Sequence, residues 1–497
     1  TSRLSTHHKQ LRMKQYPIEG LSPRQQTLRK IKGGIFISLF ILFALWASPW
    51  WLLLLPLLVD FYFTRWINWR YLRSHPNPLV RSLGALVEDI LFVVITVSII
   101  FTYFFQNFAI PSSSLEKTLL IGDYLFVNKL SYGPRAPMTP VAVPLAHNTV
   151  FGHKSYLDHP SFSYRRLKGL GKVERNDLVV FNFPTGDTVA LGMPNPDYYT
   201  LCASYGREAV WSDRAQFGEV VYRPVDRRDH YVKRCIGLPG ERFEVRNKQV
   251  YINGKLISNP THMQYNYYLQ TDGTALSQEL LDDLEINDRD LQLIYDYRSF
   301  QSGANPEVES YLKHAGMTFA PVGANRGYGA IYYLPLTQEM KARLSQEPYV
   351  KAIQVEIATP ESSGLVYPVD YKTPWTKDNY GPLLIPRKGM TIRLHPAALA
   401  FYHRCIRNYE GHSLETRPDG TILIDGEPRT TYTFAMDYYF MLGDNRDMSA
   451  DSRYWGFVPE DHIVGKPAFL WLSLNSERPL LQGGIRWSRM MRLIHDK

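Results

Sequence analysis

The stretch from Leu83 to Phe108 reads LGALVEDILFVVITVSIIFTYFFQNF, and Glu88 and Asp89, near its start, are its only charges. At about 1.5 Å per residue a helix of this length exceeds the ~30 Å hydrocarbon core of a bilayer, so the sequence predicts a transmembrane helix over 83–108. A second apolar block, Gly34 to Phe63, is interrupted at Ser48-Pro49-Trp50-Trp51 and again at Pro56. It fits one tilted helix, or a hairpin turning at Ser48-Pro49 with arms of ~15 residues, each only ~22 Å long.

Charge bears on that choice. Between Arg3 and Lys32 stand eight Lys/Arg against one acid, Glu19, and the loop after the first block carries Arg65, Arg70, Arg73 and Arg81 with no acid. The positive-inside rule places both basic segments on the cytoplasmic side, which favours a hairpin or re-entrant element between them. The following helix then carries everything after Ala109 to the outer face. The same location of charge assigns the net +9 to membrane orientation, so anionic lipid is the expected partner and nucleic acid is not. A cleavable leader would be a single short apolar stretch, which two blocks separated by a basic loop do not fit. Three cysteines, Cys202, Cys235 and Cys405, make neither a disulfide framework nor a metal-ligand spacing, and read as small buried residues.

Beyond Ala109 the pattern changes to short alternating or β-branched runs bounded by turn residues: 124–129, 177–183, 242–245, 249–252, 391–394 and 421–424. They predict a mainly β domain, with Asn253-Gly254 and Asp425-Gly426 as tight turns. The stretches 275–284 and 337–346 read as weakly helical. Tyr231–Gly254 and Phe401–Gly426 share Arg-Cys-Ile and a closing strand and turn, by chance or by duplication of a β unit; in that alignment His403 falls where Lys233 stands.

Three segments carry candidate chemistry. Ile110–Gly133 opens with a serine cluster after a proline, Tyr231–Glu241 sets one lysine on a strand before a Leu-Pro-Gly turn, and Gly443–Pro459 mixes acids, arginines and serines in a tight loop. Singly each has an ordinary reading: a polar turn, a surface lysine on an edge strand, and an acidic loop that lacks calcium-loop spacing.

Together, and in this order, they resemble the signature boxes of the type I signal peptidase family. The serine box is Pro111-Ser112-Ser113-Ser114-Leu115-Glu116-Lys117-Thr118-Leu119 followed by Gly122-Asp123. Arg175-Asn176-Asp177-Leu178-Val179-Val180-Phe181 is similar to a second box, and Tyr231-Val232-Lys233-Arg234 with Gly237-Leu238-Pro239-Gly240 to the lysine box. Gly443-Asp444-Asn445-Arg446-Asp447 and Ser449-Ala450-Asp451-Ser452-Arg453 match the last. The departures are Ser113 for Gly, Leu115 for Met, Lys117 for Pro, Asn176 for Gly and Met448 for Asn. None removes a reactive group, and Lys117 for Pro is expected to change turn rigidity only.

The resemblance implies a membrane-bound serine endopeptidase acting on signal-peptide-bearing preproteins after small residues, at the bacterial cytoplasmic membrane with its catalytic domain outside. It implies no metal or organic cofactor. Ser114 would be the nucleophile and Lys233 the general base. Ser112 would join the oxyanion hole and Ser449 would orient the amine, with Gly443, Asp451 and Arg453 shaping the loop that carries it. Ile110, Pro111, Leu115, Leu119, Leu125, Tyr231 and Val232 would line the substrate pocket. The expected fold is a mainly β catalytic domain with N-terminal transmembrane α-helices and an inserted α+β region. Its segments would be a basic start (1–33), an apolar membrane segment (34–64), a basic loop (65–82), a transmembrane helix (83–109), a catalytic domain in two parts (110–255 and 433–474) around an insertion (256–432), and a basic tail (475–497). Thr185–Arg228 reads as a second, shorter insertion. The tail segment Ile485–Ile494 would lie on anionic lipid or pack as a terminal helix.

Three other readings compete: a self-cleaving Ser/Lys protein, a Ser-His-Asp hydrolase using His403, and an inactive β-rich binding protein. The apolar helix opposes the first, the absence of a Gly-x-Ser-x-Gly elbow the second, and the presence of both Ser114 and Lys233 the third.

Overall fold

The computed structural model describes residues 22–495 apart from 70, 287–288, 296–316, 318–328, 361, 370 and 476–477. Most of the basic start, and Arg70, therefore lie outside the described residues. The chain divides into two compact units: the part up to Phe104 together with Gly133–Gly169, and Phe105–Tyr132 together with Leu170 onward. Gly133–Gly169, expected within the catalytic domain, thus belongs to the first unit.

In the first unit, α1 spans Pro23–Ala47 and α2 spans Pro78–Tyr103; both are long and apolar enough to cross a membrane. Ser22 and Gln25 form a reciprocal capping box at the start of α1, satisfying donors that a helix end otherwise leaves orphaned. The chain turns back after Ala47. Arg29 donates to the Phe61 carbonyl at 2.6 Å, and a Cβ on Gly33 would meet Tyr62 at 2.7 Å. The break at Ser48-Pro49 is therefore a hairpin with unequal arms, the second made of short helical turns over Pro49–Thr64. Asp60 ends that arm, accepting from Thr64 Oγ1, the Trp66 and Ile67 amides and Trp69 Nε1. The second helix starts five residues before the expected Leu83, because Asn77 caps it and Pro78 takes its first position, where a missing N–H costs nothing. It stops at Tyr103, and Phe105–Ala109, expected to be helical, is a strand.

The second unit is built on an antiparallel sheet, with β1 (Phe105–Ala109), β2 (Asp123–Asn128), β3 (Leu178–Asn182), β4 (His230–Gly237), β5 (Tyr438–Leu442), β6 (Val458–Pro459) and β7 (Ile463–Ser473). Their order is β1-β2-β7-β3-β4-β5-β6. Every residue of β3 is buried, as expected of an interior strand reading LVVFN. The expected mainly β fold with apolar N-terminal helices is the observed one.

The segment 256–432, expected as one inserted domain, contributes to two apolar clusters. A four-stranded sheet of Gln292–Tyr295, Ile331–Leu336, Tyr265–Thr271 and Val350–Val355, with helices Gln278–Asp283 and Gln338–Leu344, has its own core around Leu269, Leu334 and Leu344; we call it the lobe. By contrast, Tyr380–Leu384 pairs with Arg242–Arg246, and residues 366–406 share a core with Ile236, Phe243 and Phe440. The segment 185–228 forms three short helices over their own small core of Tyr198, Leu201, Val210 and Phe217.

The internal echo is half real. Both Asn253-Gly254 and Asp425-Gly426 are left-handed turn pairs between paired strands. However, Phe401–Arg404 is helical where Tyr231–Arg234 is a strand, so His403 does not stand where Lys233 stands. Over 485–494 the expected terminal helix is reduced to one 3-10 turn, Trp487–Arg489. Arg492–Leu493 adds a strand to β7, and Arg489 pairs with Asp123 at 2.7 Å.

Candidate active site

Ser114 lies in a single 3-10 turn, Ser113–Leu115, and is buried. Leu115, Leu119, Leu125 and Ile110 pack into one cluster with Val180 and Val464, which fixes the turn from below. Opposite, alternation along β4 puts Tyr231, Lys233 and Cys235 on one face, with Val179 directly across from Lys233 in β3. Only 2% of Lys233 is exposed. Its Nζ donates to Ser114 Oγ at 2.6 Å. Burial pushes the amine down to about 8 from an ordinary 10.5, against the opposing pull of Asp451 and Asp444, because desolvation disfavours the charged form.

The remaining expected site residues fall around this pair. Ser112 Oγ is 3.4 Å from Ser114 Oγ. Gly443 donates its N–H to Asp451 at 3.2 Å, and a Cβ there would sit 2.6 Å from the Ser114 carbonyl oxygen and overlap the Ser449 hydroxyl. Ser449 is buried beside it, and its Oγ has no hydrogen-bond partner among the described residues. Asp451 takes Arg453 Nε at 2.9 Å and Nη2 at 2.8 Å, and the same guanidinium donates to the Arg446 carbonyl.

Of the expected pocket residues, Ile110, Leu115, Leu119 and Leu125 are interior, and Val232 is partly open at the edge of their cluster. Pro111 is exposed. Tyr231 belongs to a different cluster, against Phe183 and Trp455, although its ring centroid is 5.7 Å from the Lys233 amine.

Sequence reasoning did not single out Arg234, Asp444 and Thr118 as site residues. The guanidinium of Arg234 makes two 2.7 Å bonds to Asp444, whose Oδ2 also accepts from Thr118 Oγ1 at 2.7 Å. The Asn445 amide donates to the Ser114 carbonyl at 3.1 Å. The available signal was period-2 alternation, which turns Arg234 away from Lys233 and leaves an arginine seeking a buried acid. Phe108, read as the helix end, is instead half-buried on β1 beside the pocket cluster.

The family described as signal peptidase, peptidase S26, matches residues 83–303 and 408–472 of this chain. The chain belongs to that family. Membership makes it a serine endopeptidase. The residues the family model passes over, 304–407, lie within the 256–432 segment. Signal peptidase I of Buchnera aphidicola from Schizaphis graminum is 22% identical over 410 residues, covering 82% of this chain and 80% of that protein. Signal peptidase I of Haemophilus influenzae is 22% identical over 405 residues, 81% of this chain and 73% of its own. That of Helicobacter pylori 26695 reaches 40% identity over a shorter 67 residues, 12% of this chain and 23% of its own.

Proposed function

We propose that this S26 peptidase is anchored in the bacterial cytoplasmic membrane by more than one crossing, with its catalytic unit outside. There it removes N-terminal signal peptides from exported preproteins by Ser/Lys chemistry. The observation that carries the reading is the 2.6 Å contact between a buried Lys233 amine and the Ser114 hydroxyl, with the amine lowered to about 8. A serine hydroxyl is a weak nucleophile until a base takes its proton, and a lysine serves as base only when neutral.

In this account neutral Lys233 removes the Ser114 proton as Oγ bonds to the scissile carbonyl carbon. The Ser114 N–H and the Ser112 hydroxyl donate to the resulting oxyanion, where one lost donor typically costs ~3 kcal/mol. The lysine then gives its proton to the leaving amine, the C–N bond breaks, and an ester to Ser114 remains. Water, deprotonated by the same amine, releases the acid and restores the serine. Ser449, buried with no hydrogen-bond partner for its hydroxyl among the described residues, makes no bond to the amine at rest and is free to accept one and orient it during the reaction. Val232, partly buried at the edge of the Ile110–Leu125 cluster, and the exposed Pro111 are the surfaces we assign to the small side chain before the scissile bond.

The test is cleavage of a preprotein by the purified full chain, with Ala or a bulky residue immediately before the scissile bond. Ser114→Ala and Lys233→Ala are expected to abolish processing, and His403→Ala to spare it. Equal cleavage after Ala and after a bulky residue would remove the proposed specificity.

A further inference from the structure

Lys117, three residues after the nucleophile, stands where the family pattern has proline, and its φ is +70°. Proline is locked near −65° and cannot adopt that conformation, and other L-residues adopt it only with strain. Something outside the turn must hold it. The Lys117 ammonium, almost fully buried, donates to the carbonyls of Leu284 at 2.8 Å and Glu285 at 2.5 Å. Both carbonyls lie just past the lobe helix Gln278–Asp283.

The lobe also grips the other catalytic loop. Gln264 bridges Asn445 in parallel, taking its own N–H to the Asp444 carbonyl at 2.8 Å and accepting from the Arg446 amide at 3.0 Å. The Asn266 amide donates to Asp447 at 2.8 Å, and Asp447 is itself held by Lys248 and Lys377 at 3.0 Å each. One body therefore touches both the turn that carries Ser114 and the loop that carries Ser449.

We propose that Lys117 is a positioning residue, through which the lobe holds the serine turn in the left-handed form that presents Ser114 to Lys233. Inside the turn the Thr118 and Leu119 amides both donate to the Leu115 carbonyl, at 3.0 and 2.8 Å, and the Glu116 amide donates to Ser113 at 2.9 Å. Rotation at residue 117 is thereby carried back to Ser114. The bonds tie the turn to the lobe only while residue 117 ends in a donor of that reach.

The inference rests on the Ser114 and Lys233 reading, and its test separates the two. In the full chain, kcat and KM for a preprotein are measured for Lys117→Met, Lys117→Gly and Lys117→Arg, with Ser114→Ala beside them. Met keeps the stem without the ammonium, Gly relaxes the backbone without the tether, and Arg supplies a donor again. Lys117→Met is expected to lower kcat tenfold or more with KM within twofold, Lys117→Gly, which takes a positive φ without strain, to lower it by a smaller factor, and Lys117→Arg to recover most of the Met loss. Should the Met variant not fold, the Gly variant carries the comparison. Wild-type kcat in Met and Gly, a loss confined to KM, or an Arg variant no better than Met overturns the proposal. Full processing by Ser114→Ala would instead overturn the catalytic reading, and the proposal with it.

Discussion

Arg234 and Asp444 meet through two parallel 2.7 Å hydrogen bonds, with 3% and 1% of their side chains exposed. The pair joins β4, immediately after Lys233, to the loop that carries Ser449. Removing one partner of such a pair strands the other charge in the interior, a loss typically of ~3–5 kcal/mol. Asp444→Ala is therefore expected to destabilise the catalytic unit by about that much in urea denaturation. A change below about 1 kcal/mol would mean that the stranded guanidinium finds water.

Gly443→Ala tests how closely the Ser114 turn and the Ser449 loop meet. The added methyl has the Ser114 carbonyl oxygen at 2.6 Å and the Ser449 hydroxyl closer still, so one loop must move. A displacement near 1 Å at a reacting group costs on the order of 100-fold in rate. The expected result is a folded protein with kcat down by about that factor, read from preprotein processing and a melting curve. Wild-type kcat would show that the loops can separate at no cost.

Lys233 makes stability depend on pH. Its folded pKa of about 8 lies below its ordinary 10.5, so between these values the unfolded chain holds more protons and stability rises with pH. The penalty is full below about 8 and gone above 10.5, with a magnitude of roughly 3 kcal/mol. Lys233→Met should therefore raise Tm at pH 7, with a gain that shrinks as the pH approaches 10. A gain that does not change with pH would assign it to packing instead.

Much of this was legible in the sequence, for reasons that differ by region. Strands such as 178–182 and 249–252 showed because burial imposes apolar runs or alternation on them, and Asn253-Gly254 because few pairs tolerate that turn. The end of the second helix was missed because FQNFA is apolar enough to continue a span, and only its pairing with Tyr124–Asn128 makes it a strand. Its start was written in Asn77-Pro78 and overlooked in favour of hydropathy. The Ser114–Lys233 contact spans 119 positions, and local pattern alone does not bring such residues together; the order of the boxes suggested it. Lys117 was read as a change of rigidity, since a positive φ and carbonyl partners 167 and 168 residues away leave no local trace. At position 176 a positive φ of 72° explains why Asn serves where the family pattern has Gly.

A neutral Lys233 acting on Ser114 shows itself in the acid limb of a rate profile. Single-turnover processing of a preprotein, followed from pH 5.5 to 10 in the full chain, should rise with unit slope to an apparent pKa near 8, the value at which the Lys233 amine loses its proton; Lys233→Met should abolish the rise along with the activity. A profile flat across that range, a limb near 6.5 as for an ordinary histidine, or processing that survives in Lys233→Met would contradict a neutral lysine acting on Ser114.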